Sequence, residues 1–202
     1  FRSKKAPAPS RPFSVAQIEV TSRCNMNCTF CALRSLGPAW INGDLDIQLF
    51  RNYIAPHLDL FELVYLQGWG EPLLHPDFWE MASLAKAKGC RTGFTTNGAY
   101  LDEQATEQIF ETGINLLSVS FAGARSETHT GMRTRSDWDR LLANISHLSE
   151  QKRRLGLDSP WLEIHFLMTL NNLEELPDLV RLAANLGANE VVATNLTYTP
   201  TR

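Results

Sequence analysis

Apolar residues fall into short runs separated by stretches where they recur every third or fourth position. The runs lie at 15–21, 61–67, 90–95, 114–121, 161–169 and 190–195 and are rich in Val, Ile, Leu and Phe, as in strands covered on both faces. Between them the spacing is helical. One helix is predicted from about Asp46. A second follows Pro76, with Phe78, Met81, Ala82 and Ala85 on one face. A third follows Asp102, and a fourth follows Ser136, with Trp138, Leu141, Leu142, Ile145 and Leu148 as one stripe. A fifth has Pro177 in its first turn and Leu179, Val180, Ala183 and Leu186 inward. Gly89, Gly113 and Gly187 each stand where a helix ends just before a strand, and glycine accepts the left-handed conformation that closes a helix. Helix, glycine, strand, three times over, predicts βα units on a parallel sheet.

From residue 13 onward the chain spends about 32 residues per unit, which gives about six units, where a closed eight-unit barrel takes ~250 residues. The fold class is α/β, either an open doubly wound sheet or an incomplete barrel. In both, the site lies in the loops after the strands.

The length of 202 residues favours one domain. Residues 1–12 are basic and proline-rich and read as a flexible arm outside the fold. With 22 acidic and 19 basic residues the net charge is −3, which gives no footprint for nucleic acid or an anionic membrane. No apolar run approaches the ~18 residues of a membrane span. Cysteine changes this bland picture. Of four cysteines, three crowd into eight positions: Cys24, Cys28 and Cys31. No secretion signal is visible, so a metal site in a reducing cytoplasm is expected rather than a disulfide framework.

The three cysteines sit in the loop after the first strand, spaced CxxxCxxC. Thiolates suit zinc, Cu(I) and iron–sulfur clusters. A structural zinc site is closed by four ligands, but no fourth cysteine or histidine is near, and Cys90 falls at the far end of the sheet. Three sulfurs on a four-iron cluster leave one iron open to a substrate or cofactor.

With Phe30 inside the spacing, this loop resembles the CxxxCxΦC signature of the radical S-adenosylmethionine (radical SAM) enzymes, where Φ is aromatic. Gly68-Trp69-Gly70-Glu71-Pro72 after strand two resembles the family's GGEP motif, with Trp69 at the first glycine of the tetrad. Thr96-Asn97-Gly98 resembles its TNG turn. Ser120 matches the serine of an SxDG motif, whose aspartate is replaced by Ala122, so any role of that aspartate is absent.

The resemblance implies a partial (β/α)6 TIM-type barrel with parallel strands, the core domain at 13–202. Cys24, Cys28 and Cys31 would hold a 4Fe-4S cluster. Phe30, Gly70, Glu71, Asn97 and Ser120 would bind S-adenosyl-L-methionine, Glu71 by accepting from its amino group. Reductive cleavage would give a 5′-deoxyadenosyl radical that abstracts a hydrogen atom from a substrate, a peptide or protein or a cofactor precursor. An external one-electron donor of flavodoxin or ferredoxin type is implied.

The helix predicted after Asn172 also resembles relatives carrying a C-terminal auxiliary-cluster (SPASM or twitch-like) extension. With no cysteine past Cys90, truncation of the core at its C-terminus is expected. Two other readings stand beside the enzyme: a cluster- and SAM-binding module without turnover, and a zinc-stabilised structural domain. Several polar residues keep two readings each. Glu19 is an inward carboxylate or a rim ion pair, Trp69 packs under its loop or faces the substrate, and His165 is a core histidine or a cofactor contact. His75 opens the second helix.

Overall fold

The computed structural model describes residues 10–32 and 36–196. Six strands, β1 (Phe13–Ile18), β2 (Phe61–Leu66), β3 (Arg91–Thr96), β4 (Leu116–Phe121), β5 (Trp161–Met168) and β6 (Glu190–Asn195), form one parallel sheet in the order β1-β2-β3-β4-β5-β6. A doubly wound sheet reverses its strand order at a switch point. This sheet never reverses, so the open alternative is settled in favour of the incomplete barrel. β1 and β6 are not paired with each other, and the sheet curls into an open half-barrel.

Among the described residues the named helices are α1 (Ile47–Leu49), α2 (Phe78–Ala87), α3 (Glu103–Thr112), α4 (Ser126–Met132), α5 (Trp138–Arg154) and α6 (Leu176–Asn185). Carboxylates start three of them. Asp46 accepts from the N–H groups of Gln48 and Leu49, Asp102 from Ala105 and Asp137 from Arg140, caps worth about 1 kcal/mol each. Gly89, Gly113 and Gly187 have φ of 75°, 70° and 75°, the left-handed closure the sequence predicts. The segment after α1 departs from a simple helix: a π turn (Phe50–Ile54) and a 3-10 turn (Ala55–Leu60) carry Phe50 and Leu58 into the core.

The core lies between the outer face of the sheet and the helices. Val64, Leu66, Phe94, Leu117, Val119, Phe121, Leu162, Ile164 and Phe166 are buried there against Met81, Ile109, Leu141, Ile145, Leu148 and Leu179. Each such side chain contributes roughly 1.5–3 kcal/mol by burial. The inner face differs from the expectation of two dry faces. Ser118, Ser120, Glu163 and His165 alternate with the core residues and point the other way, because the half-barrel's concave side is a cavity rather than packed layers. Val180 is exposed, and Leu182 takes the inward place on α6.

The bottom of the barrel corrects the boundary of the arm. Ser10 donates to Glu62, and the Arg11 guanidinium donates to the carbonyls of Phe61, Lys88 and Gly89 and to Cys90 Sγ. Residues 10 and 11 are therefore part of the fold, held by carbonyls that the strand starts leave free. Residues 1–9 of the predicted arm lie outside the described residues, as does anything after Leu196. Cys90 is buried and donates to Leu58 O at 2.9 Å, at the end of the sheet remote from the other cysteines.

Candidate active site

The loop after β1 is fastened on three sides. Thr21 bridges to Asp44 and donates its hydroxyl to that carboxylate at 2.6 Å. Arg23 grips the same carboxylate through Nε and Nη2 at 2.9 and 2.7 Å and reaches Leu74 O with Nη2. The Arg23 and Thr21 contacts hold the Asp44 carboxyl below its ordinary range. On the far side, the N–H of Thr29 donates to Met132 O at 2.9 Å and that of Asn27 to Thr134 O at 3.3 Å. The cysteine loop thus packs against the linker between α4 and α5, more than 100 residues later.

Cys24, Cys28 and Cys31 all line one cavity of about 600 Å3 at the carboxyl ends of the strands, where the sequence places the site. No group of three or more Cys, His, Asp or Glu among the described residues converges tightly enough for a single metal ion. Burial pushes the thiols of Cys24 and Cys28 up from their ordinary value. A metal bound there would have to displace protons from them.

The loop after β2 carries a buried, fully bonded carboxylate. Glu71 is 2% exposed. Its Oε1 accepts from the Thr96 hydroxyl at 2.7 Å and from Leu73 N–H at 3.3 Å, and its Oε2 accepts from Asn97 N–H at 2.8 Å. Burial raises its pKa, and these bonds pull it back. Gly70 is obligatory by contact: a Cβ there would sit 2.2 Å from Thr21 O and 2.6 Å from Arg23 O. Trp69 is 53% exposed and lines the cavity mouth, its backbone N–H held by Glu19 Oε1 at 2.6 Å. Glu19 is therefore a loop anchor, and Trp69 faces the cavity rather than packing beneath the loop.

Asn97 is buried. Its Nδ2 donates to Asn25 Oδ1 at 2.8 Å and lies 3.9 Å from Cys24 Sγ. Phe30 and Ser120 line the cavity. So does His165, which stands opposite Ser120 in the strand register and engages Thr194 Oγ1 through Nε2 at 3.0 Å. It is a cavity residue, not a core histidine. His75 is buried before α2, with Nε2 against Leu45 O at 2.9 Å and Nδ1 accepting from Asp77 N–H. The replaced motif position, Ala122, is buried. Its carbonyl accepts from Asn172 Nδ2, and its N–H reaches the His129 ring.

The match to known proteins decides the family. The model of the Radical SAM superfamily matches residues 18–183. The chain belongs to the radical SAM superfamily. The tungsten-containing aldehyde ferredoxin oxidoreductase cofactor-modifying protein of Pyrococcus furiosus is 27% identical over 183 residues, 89% of this chain and 50% of that protein. The AdoMet-dependent heme synthase of Methanosarcina barkeri is 33% identical over 173 residues, 84% of this chain and 47% of that protein. The chain thus spans about half the length of the curated relatives it matches. The crystal structure of Streptococcus suis SuiB bound to S-adenosylmethionine superposes with a TM-score of 0.76 at 17% identity, covering 94% of this chain and 42% of SuiB. That likeness carries the partial-barrel fold.

Two further residues line this cavity without having been assigned a role from the sequence. Arg133 points into the cavity with its guanidinium carbon 5.5 Å from the centre of the Phe30 ring, a cation–π contact. Burial lowers its pKa, and the surrounding Cys28, Cys24, Glu71 and Cys31 oppose that shift. Gln67, at the end of β2, lines the cavity as well. Four buried side-chain polar atoms have no hydrogen-bond partner among the described residues, and two of them, Gln67 Oε1 and Arg133 Nε, belong to this lining. Buried polar atoms are rarely left unpaired, so these two mark a site shaped for a polar ligand. Nothing local in the sequence around Arg133 shows which way the arginine turns.

Proposed function

We propose that the chain is the catalytic core of a radical SAM enzyme, with a 4Fe-4S cluster on Cys24, Cys28 and Cys31 and S-adenosylmethionine beside it. The observation that carries this is the convergence of three thiols, the Glu71–Asn97 unit and two unpaired polar atoms on one cavity. The donor set fits the groups. Thiolates are the ligands of such clusters. The free Arg133 Nε donor suits a carboxylate, and the free Gln67 Oε1 acceptor suits an amino or hydroxyl group.

When bound and reduced by one electron, the cluster and S-adenosylmethionine supply hydrogen-atom abstraction by a 5′-deoxyadenosyl radical. The chain's own residues do the rest. Arg133 offsets the negative charge of the thiolates. Gly70 lets the loop close against Thr21 so that Glu71 stands beside the cysteine loop. Asn97 ties that unit to Asn25 and Cys24, and Ser120 offers a hydroxyl from β4. Phe30, Met26, Leu167 and Leu196 supply apolar lining that limits water around a reactive species.

Names of the relatives support a cofactor precursor as substrate class, and SuiB, crystallised with the precursor peptide SuiA, supports a peptide. An external one-electron donor of flavodoxin or ferredoxin type completes the reading. No helix among the described residues is long and apolar enough to cross a membrane, which is compatible with a cytoplasmic enzyme. The test is anaerobic reconstitution with iron and sulfide. The expected product holds both in 4Fe-4S proportion with visible charge-transfer absorption, and Cys28→Ala abolishes it. A variant that keeps a full cluster contradicts the ligand assignment.

A further inference from the structure

Below the cysteine cavity, toward the strand starts, the concave face of the half-barrel carries a line of polar side chains with no part in holding the cluster. It runs across β4, β5 and β6. The Ser118 hydroxyl donates to Glu163 Oε1 at 2.7 Å. His165 Nδ1 stands 3.8 Å from the same oxygen, and its Nε2 meets Thr194 Oγ1 at 3.0 Å. His165 lines the cavity, and Glu163 lies one layer deeper, two residues back along β5, with its side chain 22% exposed. Among the described residues Glu163 Oε2 has no hydrogen-bond partner, and no Lys or Arg pairs with this carboxylate.

Tyr65 brings an aromatic ring to the same layer. It stands opposite Gly93 in the register of β2 and β3, and a Cβ on Gly93 would lie 3.0 Å from Tyr65 Cε1. A glycine inside a strand marks a close approach. Here it leaves the room that the ring takes up. Burial raises the pKa of the Tyr65 phenol, and the charge of Glu163 raises it further, so ring and carboxylate are near neighbours. Two residues along the same face of β2, Gln67 Oε1 is a buried acceptor without a donor among the described residues. Negative charge is in excess here. The strands present Glu19, Glu163 and Glu190 on the concave face against Arg91, with Arg133 higher up beside the thiols. Glu19 is engaged by Trp69 N–H, and Glu190 by Trp161 Nε1 at 3.0 Å. Glu190 is directly opposite Glu163 in the register, and like charges so placed destabilise a sheet.

We propose that Glu163 and Tyr65 form a subsite for a primary ammonium group of the substrate, beneath His165. The inference rests on the radical SAM reading above and gives that site a substrate class. An aromatic face beside a carboxylate is the chemistry that holds an organic cation out of water. Ammonium fits better than guanidinium. Oε1 is committed to Ser118, so a single oxygen is left, and a planar guanidinium fork needs two. The group arrives through the cavity, so the rest of the substrate stays on the cofactor's side of His165. Glu163 and Tyr65 are positioning residues, and no bond forms or breaks at either.

The experiment titrates the reconstituted chain, with S-adenosylmethionine bound, against three probes by ligand-observed NMR: N-acetyl-lysine amide, its norleucine analogue, which lacks the nitrogen, and its arginine analogue. The lysine probe is expected to bind at least ~10-fold more tightly than the norleucine probe and more tightly than the arginine probe. Glu163→Gln keeps an acceptor for Ser118 and is expected to remove the lysine preference. Tyr65→Leu should reduce it and Tyr65→Phe, which keeps the aromatic face, should retain it. Iron content and thermal unfolding check that each variant is folded. A Glu163 that only anchors Ser118 would lower the unfolding temperature when replaced and leave the preference in place. Equal affinity for lysine and norleucine probes in the wild type overturns the proposal, as does a preference that survives Glu163→Gln. A lysine-centred pentapeptide, run beside the single residue, separates the sources. Tighter binding of the pentapeptide upholds the subsite for a peptide, and equal binding upholds it for a small amine. A wild type that shows the lysine preference yet releases no 5′-deoxyadenosine with dithionite overturns the radical reading and leaves the ammonium subsite standing.

Discussion

The backbone N–H of Asn97 donates to Glu71 Oε2 at 2.8 Å, locking the turn after β3 to the carboxylate after β2. Thr96 completes the lock through its hydroxyl on Oε1 at 2.7 Å. Both oxygens of Glu71 are thus acceptors of protein donors, and an amide cannot present two acceptors. Glu71→Gln is expected to cost about 1–3 kcal/mol of stability by leaving a donor facing a donor, read by denaturant unfolding. It should also weaken S-adenosylmethionine binding while iron and sulfide loading persists. Unchanged cofactor affinity would remove Glu71 from the cofactor site.

The two glycines of the same loop should differ. A Cβ on Gly70 meets the backbone carbonyls of Thr21 and Arg23, which cannot withdraw without breaking the cysteine loop. A Cβ on Gly68 meets the Glu19 side chain at 2.3 Å, which can swing aside at the expense of its bond to Trp69 N–H. Gly70→Ala is expected to prevent cluster assembly or folding, and Gly68→Ala to keep the cluster with a modest loss of stability. Iron content and thermal unfolding of the two variants check this. Equal behaviour would show that the tight approach at Gly70 is not needed.

His129 gives the fold an acid sensitivity. It is buried between Ala122 N–H and Ser136 Oγ, and burial, with Arg133 adding, lowers its pKa from 6.5 to about 3. The native state refuses a proton that the unfolded chain accepts. Stability from this group is therefore intact above pH ~6.5 and falls as pH drops from there toward ~3, by up to about 1.4 kcal/mol per pH unit. His129→Asn should be less stable at neutral pH but should show a shallower decline between pH 6.5 and 4 in unfolding titrations. Parallel declines would place the acid sensitivity elsewhere.

Legibility followed the range of the interaction. The strands and helices could be read because their signals are local: apolar runs, helical spacing of apolar residues, and glycines at Gly89, Gly113 and Gly187. The cysteine loop and the GxGEP loop were readable for the same reason, each being a contiguous motif. Arg133 was not, because what makes it a site residue is the docking of its linker on Asn27 and Thr29, which no local pattern records. Arg11 was hidden likewise: its partners lie on β2 and beside Cys90, and within its own segment it looks like one more basic residue in a proline-rich arm. His165 kept two readings because alternation names two faces of β5 without saying which is dry; it lines the cavity.

The most direct measurement is product formation from S-adenosylmethionine. The reconstituted chain, incubated anaerobically with S-adenosylmethionine and dithionite, is predicted to release 5′-deoxyadenosine and methionine in equal amounts, with release abolished in Cys31→Ala. A wild-type chain that carries a full 4Fe-4S cluster, binds S-adenosylmethionine and yields no 5′-deoxyadenosine would contradict the account.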